Sequence, residues 1–276
     1  MTLIHARFRN WLRDSRASRH GPGPTTAPPT AKPAFRNGAS LALGVGLAAT
    51  LAAGQAGATD VASESRPVGA FKSVRLIGSA NLVLKQGDVA SLTVEGDKDH
   101  LKDLKVETRG DELVLRYEPR RHFVWWGSDR KGPRFLLTAQ TLERISTAGS
   151  GDIRAESWTA PGDFEIAIAG SSDVNIGLLA ARKLLVRISG AGDVKIAGGV
   201  LEQNVRIAGS GDYRAGALQS ATATISIGGS GDATLWARDN LSVKIAGSGD
   251  VKYYGRPSIT QSIAGSGSVT GLGEKP

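Results

Sequence analysis

The sequence has no cysteine, which excludes disulfides, thiolate metal sites and lipid-modified cysteines, so an exported form must draw its stability from packing. Histidine is nearly as scarce. Two of the four, His5 and His20, lie in the leader described below, and His100 and His122 fall outside the repeats. No Ser/His/Asp constellation, phosphate loop or metal-ligand spacing is present, which removes the usual signatures of hydrolases, nucleotide-binding enzymes and zinc proteins. The apolar run from about Ala39 to Ala53 is too short for a comfortable membrane span. The formal charge of +8 and pI near 9.9 point to no nucleic-acid partner, because the excess is confined to one end. Residues 1–58 hold seven basic residues and one acidic; the remainder holds 27 basic and 25 acidic, so the body is nearly neutral.

What is abundant is glycine, and its placement is periodic. Gly149-Ser150-Gly151-Asp152 returns as Gly170-Ser171-Ser172-Asp173, Gly190-Ala191-Gly192-Asp193, Gly209-Ser210-Gly211-Asp212, Gly229-Ser230-Gly231-Asp232 and Gly247-Ser248-Gly249-Asp250, then decays to Gly265-Ser266-Gly267-Ser268. A fixed period of about 18–21 residues marks a solenoid, in which each repeat buries its apolar face by stacking on its neighbours. Two places before each first glycine stand Ile168, Ile188, Ile207, Ile227, Ile245 and Ile263; four places before stand Ile145, Ile166, Val186, Val205, Ile225 and Val243. Polar residues lie between them, so the period is two, that of a strand with one buried face. The alternation resumes after each Asp, at Ile153, Val174, Val194, Tyr213 and Val251.

A meander of hairpins gives no reason for one residue type to recur at one phase. A coil of parallel strands stacked ~4.8 Å apart does, because equal phases become vertical neighbours. The isoleucines are then internal ladders, each fully buried one contributing roughly 1.5–3 kcal/mol. Glycine is expected at the corner for its access to positive φ, at Gly149, Gly151, Gly190, Gly192, Gly209, Gly211, Gly229, Gly231, Gly247 and Gly249.

Residues 1–58 read as a signal peptide with a long basic, Pro-rich n-region (Arg7, Arg9, Arg13, Arg16, Arg19, Lys32, Arg36). Ala56-Gly57-Ala58 forms a small-x-small cleavage site, and no stable membrane span is expected after cleavage; the alternative is a leader retained as an N-terminal anchor. Residues 59–66 read as a short linker and 272–276 as a tail, enclosing one domain at 67–271. Its irregular first half, 67–145, precedes regular repeats at 146–271. Gly78-Ser79-Ala80-Asn81 looks like a worn first corner, and Lys105–Thr108 and Glu112–Arg116 read as a hairpin around Gly110-Asp111. Arg109-Gly110-Asp111 spells an integrin-binding tripeptide but reads as a polar turn. The segment from His122 to Arg134 breaks the strand pattern, and Phe123, Trp125, Trp126, Arg130 and Lys131 form a candidate binding loop, either a plug over an end or a platform for sugars.

The six corner acids, Asp152, Asp173, Asp193, Asp212, Asp232 and Asp250, would repel by roughly 1 kcal/mol per neighbouring pair even in water. Arg154, Lys195, Arg214 and Lys252, two places later on the same face, can neutralise them, and the corner's own backbone N–H groups can donate to them. Calcium is the alternative, since carboxylates repeated down a β-solenoid can bind it, but Gly228-Gly229-Ser230-Gly231-Asp232 lacks one residue of the calcium nonapeptide. No cofactor is expected. Stacked acids also satisfy the carboxylate spacing of a glycosidase trivially, so they do not diagnose one.

With these corners and the opening Phe71–Asn81, the chain from about Phe71 to Val269 resembles the bacterial putative autotransporter adhesin family built on the head GIN domain. The resemblance implies an all-β, single-domain, right-handed parallel β-helix similar in fold to pectate lyases, no recognised catalytic set, and adhesion at the cell surface. No amphipathic membrane strands follow Gly271-Leu272-Gly273-Glu274-Lys275-Pro276, so a translocator barrel is not expected within this sequence, and periplasmic residence stands beside surface display. The expectation is an exported, non-catalytic binding or scaffold module whose partner is an envelope or external glycan or protein, with oligomerisation left open. The alternative is a carbohydrate-active enzyme, a polysaccharide lyase or glycosidase, on the same fold.

Overall fold

The computed structural model describes residues 61–119 and 132–275; the expected signal segment and the loop residues Phe123, Trp125, Trp126, Arg130 and Lys131 lie outside them. The described chain is a β-solenoid of about six turns. β2 (Ser73–Gly78) and β3 (Asn81–Gln86) meet at the first corner. β8 (Arg144–Gly149), β9 (Ile153–Thr159) and β10 (Asp163–Gly170) continue the winding. Each of β11 (Val174–Gly190), β12 (Val194–Gly209), β13 (Tyr213–Gly229) and β14 (Ala233–Gly247) then runs from one corner to the next. β15 (Val251–Tyr254), β16 (Ser258–Gly265) and β17 (Val269–Gly271) finish the stack.

Successive coils pair in parallel and in register, which produces the predicted columns. One reads Leu76, Thr147, Ile168, Ile188, Ile207, Ile227, Ile245, Ile263. The next inside reads Val74, Ile145, Ile166, Val186, Val205, Ile225, Val243 and ends on Gln261. From Leu76 to Ile245 the first column is buried, whereas Ile263, beyond which no coil lies among the described residues, is 38% exposed. Burial of these side chains is the main source of cohesion.

The interior is not wholly apolar. Gln203 occupies a phase held by Leu184 in the coil before, and it is fully buried. The Tyr213 hydroxyl donates to its Oε1 at 2.9 Å, while its Nε2 donates to Ser220 Oγ at 2.7 Å, so the group is satisfied inside the core. Burial pushes the Tyr213 hydroxyl pKa far up.

The irregular first half is interleaved with the stack. β6 (Glu112–Tyr117) lies parallel beneath β2, and β7 (Arg134–Ala139) parallel beneath β3, while β8 and β9 lie above that same pair. The first coil in sequence is therefore not the first in space. Antiparallel strands close this end: β5 (Leu104–Arg109) pairs with β6 as the predicted hairpin, β4 (Ser91–Asp97) pairs with β7, and β1 (Val61–Arg66) pairs with β4. Residues 61–66, read from the sequence as part of a linker, thus form an edge strand, joined to the cap by backbone hydrogen bonds that carry no local sequence signal. A single helical turn, Lys98–Leu101, seats Leu101 in the core.

Candidate functional site

The corners form one vertex of the coil, and their two glycines serve different ends. Gly209 has φ 135°, and a Cβ there would meet the Gly190 carbonyl oxygen at 2.2 Å. Gly211 is not in the positive-φ region. Its constraint is close approach, because a Cβ would lie 2.2 Å from the Gly192 carbonyl oxygen and 2.9 Å from Ile188 Cγ2. The expectation that every corner glycine answers a demand for positive φ therefore holds for the first glycine and fails for the second at Gly151, Gly192, Gly211, Gly231 and Gly249. Among the corners that end in Asp, Ser172 is the exception at that position, where the coil below presents Thr147 instead of isoleucine. The two hydroxyls hydrogen bond at 2.8 Å, fully buried.

The Asp column is a ladder of backbone interactions between coils. Asp152 Oδ1 accepts from the Asp173 N–H at 3.2 Å, Asp173 from Asp193 at 3.0 Å, Asp193 from Asp212 at 2.9 Å, Asp212 from Asp232 at 3.0 Å and Asp232 from Asp250 at 2.8 Å. Asn81 begins the ladder by accepting from Asp152, and Ser268 ends it by donating through both N–H and Oγ to Asp250, which holds the Asp250 carboxyl below its usual range. The donor is thus the next coil's backbone and not the corner's own. Asn81 fills the first rung with a neutral amide oxygen in the same acceptor role.

The cation column is only partly engaged. Arg214 bridges Asp193 and Asp212, both at 2.9 Å, and Arg154 reaches Asp152 at 3.6 Å, while Lys195 and Lys252 make no ion pair within 4 Å among the described residues. On the strand entering the corner, the outward phase carries Arg187, Arg206 and Lys244. Arg187 is held by Glu165, and Arg206 and Lys244 are exposed. No group of three or more metal-ligating side chains occurs among the described residues. Arg109-Gly110-Asp111 sits in the β5–β6 turn, where Arg109 pairs with Glu107 and the Asp111 carbonyl accepts from the Lys72 and Ser73 N–H groups.

A groove of about 610 Å³ lies away from the corners, lined by Lys72, Glu143, Asp163, Glu165 and Lys183 among others. Its acids are ion-paired: Glu165 with Arg144 and Arg187, Asp163 with Arg182, and Glu143 with Lys72 at 4.0 Å.

Sequence reading missed an aromatic pair. Trp236 and Tyr254 are register partners on adjacent coils, half-buried and on the outward side. Lys275 Nζ lies 5.7 Å from the Trp236 ring centre and 5.1 Å from that of Tyr254, and donates to the Gly216 carbonyl. The signal was available: the two aromatics are one repeat apart, the same 18 residues that separate Gly229 from Gly247.

Residues 70–257 match the family described as "Putative auto-transporter adhesin, head GIN domain". The chain belongs to this family. Among solved structures it is similar to a putative adhesin from Bacteroides fragilis (TM-score 0.70, 24% identity, covering 77% of this chain and 97% of that one). It is also similar to a protein from Parabacteroides distasonis described as a putative lipid binding protein (TM-score 0.61, 24% identity, 77% and 96% covered). A third is a putative adhesin from Parabacteroides merdae (TM-score 0.59, 16% identity, 77% and 96% covered). At these identities the likeness is one of fold. Among curated proteins nothing matches.

Proposed function

We propose that this head GIN domain protein is an exported, non-catalytic binding module, working in the periplasm or at the cell surface on an envelope or external glycan or protein. The observation that carries the reading is how its carboxylates are used. Those of the corner column accept from backbone N–H groups of the next coil, and those of the groove are ion-paired, so both sets already have partners within the protein and neither stands free to face a bound sugar. What the surface does offer is suited to contact: an aromatic pair at Trp236 and Tyr254, and exposed cations at Arg206, Lys244, Lys195 and Lys252. The family's description as an adhesin agrees with this. Among the described residues no helix is long and apolar enough to cross a membrane.

The test is a panel of neutral and acidic polysaccharides, with lipid vesicles included to cover the description of the Parabacteroides distasonis neighbour. Each is assayed both for saturable binding and for product. Binding without turnover, weakened by Trp236→Ala, is expected. Turnover abolished by a single Asp or Glu substitution would establish a carbohydrate-active enzyme instead.

A further inference from the structure

The two ends of the stack are finished differently. At one end the last strands, β5 and β1, are antiparallel additions, and β5 presents exposed Lys105, Glu107 and Arg109 while β1 presents Glu64 and Arg66. Charges and irregular pairing are the means by which edge strands are kept from adding further strands. At the other end, the run from Ser258 to Gly273 contains no charged residue and no proline. β16 pairs only with β14, and β17 only with β15, so among the described residues nothing meets their outer edges. All of β16 is exposed, and three of the exposed large apolar side chains, Ile259, Ile263 and Leu272, belong to this final coil. Ile263 is the last member of the internal isoleucine column, so the mouth of the core opens here.

We propose that this end is a self-association surface, on which a second copy of the chain packs end to end about a two-fold axis, final coil against final coil. Two features select that occupant. The edge strands carry no charge, and the large side chains on the inward phase of β16, Ile259 and Ile263, are apolar, so the mouth complements a copy of itself. Head-to-tail stacking is disfavoured because the opposite end is charged and closed by antiparallel strands. A two-fold contact sets β16 against its own copy, Ile263 and Ile259 of each mouth covering those of the other, and gives the alternate backbone N–H and C=O groups that point away from β14 a partner.

The test is sedimentation of the purified protein over a range of concentrations, alongside Ile263→Lys. Among the described residues that side chain has no coil above it, so the change leaves the remaining columns intact. A monomer–dimer equilibrium is expected, with the dissociation constant raised about tenfold or more by the substitution, and no response to Thr108→Lys at the opposite end. Hydrogen exchange gives a second readout independent of any variant: β16 amides should be protected at high concentration and lose protection on dilution. A monomer throughout, a size that grows without limit, or β16 amides protected in a monomer, as cover by the chain's own N-terminal residues would give, each overturns the proposal.

Discussion

Thr147 and Ser172 make a swap against the repeat, and exchanging them for the repeat's own residues tests the packing rule of the corner. Further along, glycine at the third corner position lies over isoleucine: Gly192 over Ile168, Gly211 over Ile188, Gly231 over Ile207 and Gly249 over Ile227, where an added Cβ would come within 2.9–3.0 Å of the isoleucine Cγ2. Thr147→Ile alone presses isoleucine against the Cβ of Ser172 and strands the serine hydroxyl. The overpacking costs about 1–3 kcal/mol and the unpartnered hydroxyl about 1–3 kcal/mol more. Ser172→Gly alone leaves the Thr147 hydroxyl, 3% exposed, with only the Gly151 carbonyl at 3.4 Å, again costing about 1–3 kcal/mol. The double substitution removes both hydroxyls and restores the isoleucine–glycine pair, so it should lie within about 1 kcal/mol of the parent, a coupling of about 2 kcal/mol or more. Urea unfolding followed by circular dichroism measures all four proteins. A double variant that costs the sum of the singles would falsify the steric rule.

The Asp ladder predicts that Asp212→Asn, which keeps an acceptor oxygen as Asn81 does, is tolerated, whereas Asp212→Ala lowers stability by about 0.5–1.5 kcal/mol in the same assay; equal losses would mean that charge is what matters. Because burial raises the Tyr213 hydroxyl pKa above its value in the unfolded chain, stability should be intact below about pH 10 and fall as pH rises beyond it. Tyr213→Phe should flatten that alkaline decline while costing stability at neutral pH, and an unchanged alkaline limb refutes the assignment. Thermal melts with calcium and with chelator should coincide, since the corner carboxylates are engaged by backbone and arginine; a midpoint raised by calcium would assign the column to metal.

The regular coils could be read from sequence because stacking imposes one environment on each phase, so Ile188, Ile207, Ile227 and Ile245 report the same column four times. The second glycine's role was hidden for the converse reason: what forbids a side chain at Gly211 is a carbonyl and an isoleucine of the preceding coil, invisible until register is known. The interleaving of β6 and β7 beneath β2 and β3 was also illegible, since parallel pairing between distant strands leaves no mark on either. One aromatic pair was passed over. The loop from Phe123 to Trp126 stood out by breaking the pattern, while Trp236 and Tyr254 were overlooked because they obey it.

That interleaving has a consequence for how the molecule assembles as it is made from its N-terminus. Past residue 160 each coil docks on one completed about 20 residues earlier, a short closure that can propagate quickly. The first coil has no such neighbour waiting. Gln86 bonds to Thr159 and Asn81 to Asp152, contacts 73 and 71 residues apart, and its lower surface is supplied by β6 and β7. The earliest strands synthesised must therefore stay unsheltered, apolar and open to wrong partners, until most of the chain's first 160 residues have emerged. Chaperone protection should be needed at the beginning of this chain and hardly at all at its end.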